Sequence, residues 1–148
     1  MSEYIKAKTC FKITNVAELL AALVDMKPEW KNRIEVHQTA QNLFGYTGDR
    51  RTDKAEIIIR RGDVGIASND IGFKYQDDGT ITAIISAYDQ NRYGKSWQSD
   101  LAKSYAYRVA EKQAVKVGAT ITKTVNENGT WTVKLVKEEE KVWVARKW

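Results

Sequence analysis

The chain has 148 residues, 43% of them hydrophobic and 29% charged, a balance that can bury a core and argues against disorder. No apolar run approaches the ~20 residues of a membrane span, because the longest candidate, Val16 to Met26, is interrupted by Glu18 and Asp25. A lone cysteine, Cys10, precludes an intrachain disulfide or a cysteine zinc site, and the net charge of +5 permits attraction to nucleic acid, acidic proteins or anionic ligands without selecting among them.

Alternation predicts a first strand over Ile5 to Ile13, with Ile5, Ala7, Thr9, Phe11 and Ile13 on one face. Cys10 falls inside this pattern and reads as a small core residue. Thr14 and Asn15 can cap the helix that follows, and Asn15 with Glu18 loosely fits a capping box. Leu19, Leu20, Leu23 and Met26 form the apolar stripe of that helix, which Lys27-Pro28 ends, since the residue before proline avoids helical geometry.

Arg33 to His37 alternates as a short strand, and Glu56 to Arg61 as another, whose Ile57, Ile58 and Ile59 are apolar on both faces, as in a central strand. Asp77-Asp78-Gly79 is a turn signal that would join Gly72–Gln76 and Thr80–Tyr88 as a hairpin. Ser96 can cap a long helix over about 97–117, with Gly118 as its stop. Trp97, Leu101, Tyr105 and Val109 line one side of that helix, flanked by Ala102, Ala106, Ala110 and Ala114. Ala119–Val125 and Thr130–Val136 alternate around Asn128-Gly129, a strong hairpin signal, and Lys141 to Trp148 can add a final strand after Glu138-Glu139-Glu140. The expected fold is α+β, a single domain over 1–148. It is a two-layer sandwich of a mostly antiparallel sheet of five to six strands with two helices on one face.

Catalytic signals are sparse. His37 is the only histidine, so a three-histidine metal site is excluded by count, and a dyad with Cys10 would need two separate strands to meet. The aspartates between Asp49 and Asp89 fall mostly beside Gly, Asn or Ser, where Asp is favoured as a turn former. No phosphate-binding glycine loop, nucleophile elbow or zinc-protease helix is present. Neither a cofactor nor a metal is expected, and a non-enzymatic role is favoured.

The central block is richer. Arg50 and Arg51 precede the strand at Ile57–Ile59, and Arg60 and Arg61 follow it. Either pair could clamp a phosphate or carboxylate, or could pair with local acids. In an extended strand the two pairs would stand roughly 30 Å apart and would form one site only if the chain folds back. Ser68-Asn69-Asp70 is a polar loop in an apolar stretch, suited either to binding or to local capping. With Tyr46 and Asp49 these residues make up the candidate binding set. The seven Tyr and five Trp leave open a single-stranded nucleic-acid surface, although Trp97 and Tyr105 share the helix stripe and read as core. Trp143 and Trp148, flanking Arg146-Lys147, either pin the last strand or form a contact patch.

The segments Glu35-Val36-His37, Tyr46-Thr47-Gly48-Asp49-Arg50, Ile58-Ile59-Arg60-Arg61, Ser68-Asn69-Asp70-Ile71-Gly72-Phe73 and Ala83-Ile84-Ile85-Ser86-Ala87-Tyr88-Asp89 carry a family likeness. On them the chain resembles the hypothetical chloroplast reading frame thirty-five family, a domain of unknown function found in cyanobacteria, algal plastid genomes and some cyanophages. The likeness runs from the N-terminus through Tyr107 and more loosely to Trp148. It implies a phototroph or phage setting and supplies no catalytic residues, but it marks Gly45–Phe73 as the region by which the family is recognised. With no signal pattern in Met1-Ser2-Glu3-Tyr4, a cytoplasmic location is expected, whether cyanobacterial cytosol, plastid stroma or infected host. The expected role is a binding or accessory protein that contacts a protein partner or anionic ligand through the central arginines. A nucleic-acid-binding module, and an enzyme using Asp49 or Asp70 with the arginines on a phosphorylated or carboxylated substrate, are the alternatives.

Overall fold

The computed structural model describes residues 2–137 and the backbone of residues 142–147. In chain order it has β1 (Tyr4–Lys12), α1 (Val16–Met26), β2 (Glu35–Phe44), β3 (Arg50–Ile59), the short α2 (Arg61–Val64), β4 (Ile71–Tyr75), β5 (Thr80–Ser86), the short α3 (Gln90–Tyr93), the long α4 (Lys95–Val117), β6 (Thr120–Val125), β7 (Trp131–Lys137) and β8 (Val142–Lys147). The turn expected at Glu138–Glu140, with Lys141 and Trp148, lies outside the described residues, as do the side chains of Trp143, Arg146 and Lys147.

The first five strands form one antiparallel sheet in the order β1-β5-β4-β3-β2. Strand period two explains why Ile57, Ile58 and Ile59 are all fully buried. Register places Ala7, Ala83, Phe73 and Ile57 in a row facing the helices. The neighbouring row, Ile84, Gly72 and Ile58, faces the opposite way. On the helical side, α1 contributes Leu19, Ala22 and Leu23, and α4 contributes Leu101 and Tyr105. Arg108 of α4 fixes the pairing of the two helices by donating through Nε and Nη2 to Asp25, each at 2.7 Å. Trp30, Tyr93 and Trp97 pack ring against ring at the edge of this core.

The opposite face is covered in a way the two-layer expectation does not contain. β2 and β3 are each ten residues long, much longer than the alternation at Arg33–His37 and Glu56–Arg61 suggests, because polar residues 38–42 continue the strand rather than loop away. Register breaks between Val36 and Gln41, and such a break bends a strand sharply. The far half of the hairpin therefore folds back over the sheet, burying Leu43 and Ala55 against Ile58 and Ile84. Gly72 makes this approach possible: a Cβ there would sit 2.7 Å from the Ala55 Cβ and 3.0 Å from a Leu43 methyl.

The α+β class, with a five-stranded antiparallel sheet and two long helices on one face, is as expected; three other details are corrected. The last strands do not join the main sheet; β6, β7 and β8 form their own antiparallel sheet, held by Ala110 and Ala114 of α4 packing on Val133 and Leu135. Asn15 stands at the N-cap of α1 but makes no side-chain capping bond, and Ser96 lies inside α4. Asn15 Nδ2 donates instead to the Tyr105 hydroxyl at 3.2 Å, and α4 starts from Gly94. Cys10 is exposed, since it lies where the β1–β5 register breaks between Lys8 and Lys12. The stop at Gly118 holds: its φ of 66° is a left-handed C-terminal cap that favours glycine. Among the described residues no helix is long and apolar enough to cross a membrane.

Replacing Gly72 by Ala should overpack this contact. We expect a loss of about 1–3 kcal/mol, read from urea unfolding midpoints at unchanged slope; an unchanged midpoint would mean that the hairpin does not press on the sheet.

Candidate functional site

The curl of the hairpin removes the separation expected between the two arginine pairs. Phe44 and Asp70 meet through the Asp70 N–H donating to the Phe44 carbonyl at 2.9 Å. The Asp70 carboxylate is buried and accepts from three directions. Oδ2 takes the Phe44 N–H at 2.8 Å and Arg60 Nη1 at 2.8 Å, while Oδ1 takes the Arg61 N–H at 2.7 Å. Charge-assisted bonds of this kind are among the stronger polar contacts in a fold. Tyr4 of β1 joins by donating its hydroxyl to the Asp70 carbonyl at 2.8 Å. Burial, then the Asp70 charge, pushes the Tyr4 phenol up from its ordinary value.

Arg60 spends four of its five N–H donors within the molecule, one of them on the Asn42 carbonyl at 3.2 Å. Besides Asp70, its Nε and Nη2 donate to the two oxygens of Glu35 at 2.9 Å each, a bidentate fork. The hydrogen bond from Arg60 holds the Glu35 carboxyl below its usual range, with burial opposing and His37 assisting. Bonding to Glu35 raises the Arg60 guanidinium further.

Asn69 is fully buried and bridges three segments. Its Oδ1 accepts the Tyr46 N–H at 2.9 Å, its Nδ2 donates to Ser86 Oγ at 2.9 Å and to Asp89 Oδ2 at 3.2 Å, and its N–H donates to Asp89 Oδ2 at 3.0 Å. Ser86 Oγ donates to the same Asp89 oxygen at 2.7 Å. Ser68 is buried beside them. Arg51 donates to the Ser2 carbonyl at 2.7 Å and lies over the Tyr4 ring. Asp89 Oδ1 and Arg51 Nη1 are buried without a hydrogen-bond partner within the described chain.

Above this network stand the residues that reach solvent. Tyr46 is 45% exposed and Tyr88 50%; with Ser2, Ala67 and Asn69 they wall a cavity of about 320 Å³. Ile66, next to Ala67, is 93% exposed. Arg61 is exposed, donates to the Tyr46 carbonyl at 3.1 Å and lies against Gly48. Arg92, also exposed, packs against Gly65. Arg50 is exposed at the foot of the turn. Asp49 closes that turn, its carboxylate accepting from Thr47 Oγ1 at 2.6 Å; this bond holds it below the ordinary carboxylate range.

Of the nine residues singled out from sequence, then, Tyr46, Arg50 and Arg61 face outward. Ser68, Asn69, Asp70 and Arg60 build the support beneath, Arg51 is half-spent on Ser2 and Tyr4, and Asp49 shapes the turn. Sequence reasoning missed Ser86 and Asp89, which read as strand end and turn former, and Glu35, whose partner is 25 positions away. It also missed Ile66 and Arg92 as surface. An isoleucine between two small residues, Gly65 and Ala67, was the available signal for an apolar loop tip.

Two chemical alternatives lose their geometry. Cys10 and His37 lie on β1 and β2, the opposite borders of the sheet, roughly 19 Å apart at ordinary strand spacing, so they form no dyad; His37 instead contacts Glu35 at 2.8 Å. Asp49 and Asp70 do not converge either, one serving the exposed turn and the other filled by its buried partners. Among the described residues no group of three or more His, Cys, Asp or Glu side chains is placed to hold a metal ion.

Residues 22–136, most of the chain, match the sequence model of a family described as "Protein of unknown function (DUF1257)". The chain belongs to that family. No curated protein and no solved structure matches it.

The Arg60 clamp carries a pH signature. The Glu35 carboxyl is held below its ordinary value of about 4.3 in the folded state, so the unfolded chain binds that proton more tightly. The pair's contribution is therefore fully present only above the unfolded value of about 4.3 and is lost as pH falls from there through the lowered folded value. Glu35→Gln should destabilise the protein at pH 6 and do so less at pH 3, measured by chemical denaturation at both; an equal effect at both would remove the ion pair from the account.

Proposed function

We propose that this DUF1257 member is a non-enzymatic binding protein that recognises an acidic surface of a protein partner with the end of the main sheet where Tyr46, Ile66 and Tyr88 project, ringed by Arg50, Arg61 and Arg92. One observation carries the reading. An isoleucine left 93% exposed sits in a loop that runs, after Ala67, straight into the buried Ser68, Asn69 and Asp70, the last two locked by the polar network, so the exposure is held in place by the fold. Exposed apolar groups held rigidly beside arginines are the composition of interface anchors. Rigid loops also give up little entropy on binding. The unspent polar atoms of Asp89 and Arg51 belong to residues that bond the cavity walls Asn69 and Ser2.

The partner is taken as protein rather than nucleic acid because Arg60, between the exposed arginines of the central block, is neutralised by two carboxylates, which interrupts the basic surface for phosphates among the described residues. The family likeness seen in sequence supports a phototroph setting, in cyanobacterial cytosol, plastid stroma or a phage-infected host. We take residues 1–148 to act as one unit.

Affinity capture from a phototroph lysate with the intact chain, followed by titration of the identified partner, tests the reading. Tyr46→Ala with Tyr88→Ala, and separately Arg61→Glu, should each weaken that partner at least tenfold with the unfolding midpoint unchanged. Partner binding that ignores both variants would overturn the reading. So would binding of a single-stranded oligonucleotide that falls steeply with salt and depends on these same side chains.

A further inference from the structure

A second concave surface lies on the opposite border of the sheet and uses none of the residues just described. Between β1 and α4 run two adjoining cavities, of about 710 and 350 Å³, which share Cys10, Ser99 and Ala102 as walls. Together they follow α4 from Lys95 to Gln113, a length of about 27 Å at the helical rise. The floor is apolar: Ala102, Ala106 and Val109 of α4, with Leu135 of β7 beyond them. β1 is a border strand, and no described strand pairs beyond it.

The charged part of the lining has one sign among the described residues. Lys8 and Lys95 border the smaller cavity, Lys12 and Lys103 the larger, one from the strand and one from the helix in each case. Among the described residues no Asp or Glu lines either cavity. Lys103 also donates to the Gly129 carbonyl at 2.9 Å and lies 3.6 Å from Asp100, and Lys12 lies near enough to Asp78 to lower that carboxyl. Lys8, Lys12 and Lys95 have no ion pair among the described residues. Border strands are commonly guarded by lysines against unspecific pairing, but that role does not require an apolar trough beside them.

From this juxtaposition we propose that the groove between β1 and α4 is a docking site for an acidic, amphipathic segment of a partner protein. Its apolar side chains would seat on Ala102, Ala106, Val109 and Leu135, and its carboxylates would meet Lys8, Lys12, Lys95 and Lys103. The spacing of the charges selects this occupant. Amines distributed along the whole trough match a chain with several carboxylates in sequence, whereas a single-headed acyl carboxylate would use only one end. Such a segment can also add its backbone to the open border of β1, where main-chain bonds supply affinity and side-chain seats supply specificity.

The probe is a fluorescein-labelled 15-residue peptide that alternates Glu with Leu and Ala. Its controls are the same peptide with Lys replacing Glu, and laurate. Binding is followed by anisotropy with the intact chain, and the site by amide chemical-shift mapping. The acidic peptide should bind, weaken at least tenfold between 50 and 300 mM salt, and shift amides in β1 and α4; the basic peptide should not bind. Lys8→Glu with Lys12→Glu, both exposed and outside the core, should cost at least tenfold in affinity at an unchanged unfolding midpoint, and Ala106→Trp should block the trough sterically. The proposal is overturned by no binding of the acidic peptide at low salt, by shifts that map elsewhere, by equal binding of the basic peptide, by indifference to the lysine reversals, or by tight laurate binding in the trough. The Tyr46 and Arg61 variants should leave peptide binding intact, so failure here and failure of the sheet-end interface are separately visible.

Discussion

The Asp70 carboxylate is the contact on which the organisation of this protein turns. It is buried, yet it carries three donors: two backbone amides from segments on either side of β3 and one guanidinium. An isolated carboxylate in such a place would be costly. Here its charge is met by Arg60, and Arg60 is met again by Glu35, so the burden of burial is shared along a chain of charge-assisted bonds. What that arrangement secures is position. It holds the tip of the curled β2–β3 hairpin against the start of β4, and so decides which side chains face water at that end of the sheet.

Two packing facts make the clamp possible. The register break in β2 bends the hairpin, and the absence of a side chain at Gly72 lets Leu43 and Ala55 close on the sheet. The hairpin then acts as a partial third layer opposite the helices, and both faces of β3 are buried without a second pair of helices. Asn69, Ser86 and Asp89 extend the same logic to the neighbouring loops, each group satisfying the backbone or side chain of a segment distant in sequence. The result is a buried polar network beneath an apolar and cationic surface.

Local structure was legible in the sequence wherever local chemistry decides it. The stripe of α1, the proline stop after Lys27, the turns at Asp77–Gly79 and Asn128–Gly129 and the left-handed stop at Gly118 all follow from residue type and spacing. The α+β class and the antiparallel pairing follow from them in turn. Long-range pairing was not legible. A polar run such as Gln38–Asn42 reads as loop until something bends it back, and nothing in its residues announces the bend. Separation of the last three strands into their own sheet depends on how far α4 overshoots the first, with its alanines at 110 and 114 serving a different sheet from Leu101 and Tyr105. At the site, the central block stands out in the sequence as dense in polar residues. Which of its members face solvent could not be read from it, because Arg60 and Arg61 are neighbours in sequence and opposite in role: one is consumed by Glu35 and Asp70, the other stands over the turn.

Native-state amide hydrogen exchange reads the central claim, that the sheet end is a rigid presenting surface set by Asp70, most directly. The amides of Phe44, Tyr46, Arg61 and Asn69 should exchange as slowly as those of β4 and β5, and should all become fast together in Asp70→Ala while the helical core stays protected. Exchange at these four amides in the intact protein as fast as in an exposed loop, or no change on removing the carboxylate, would contradict it.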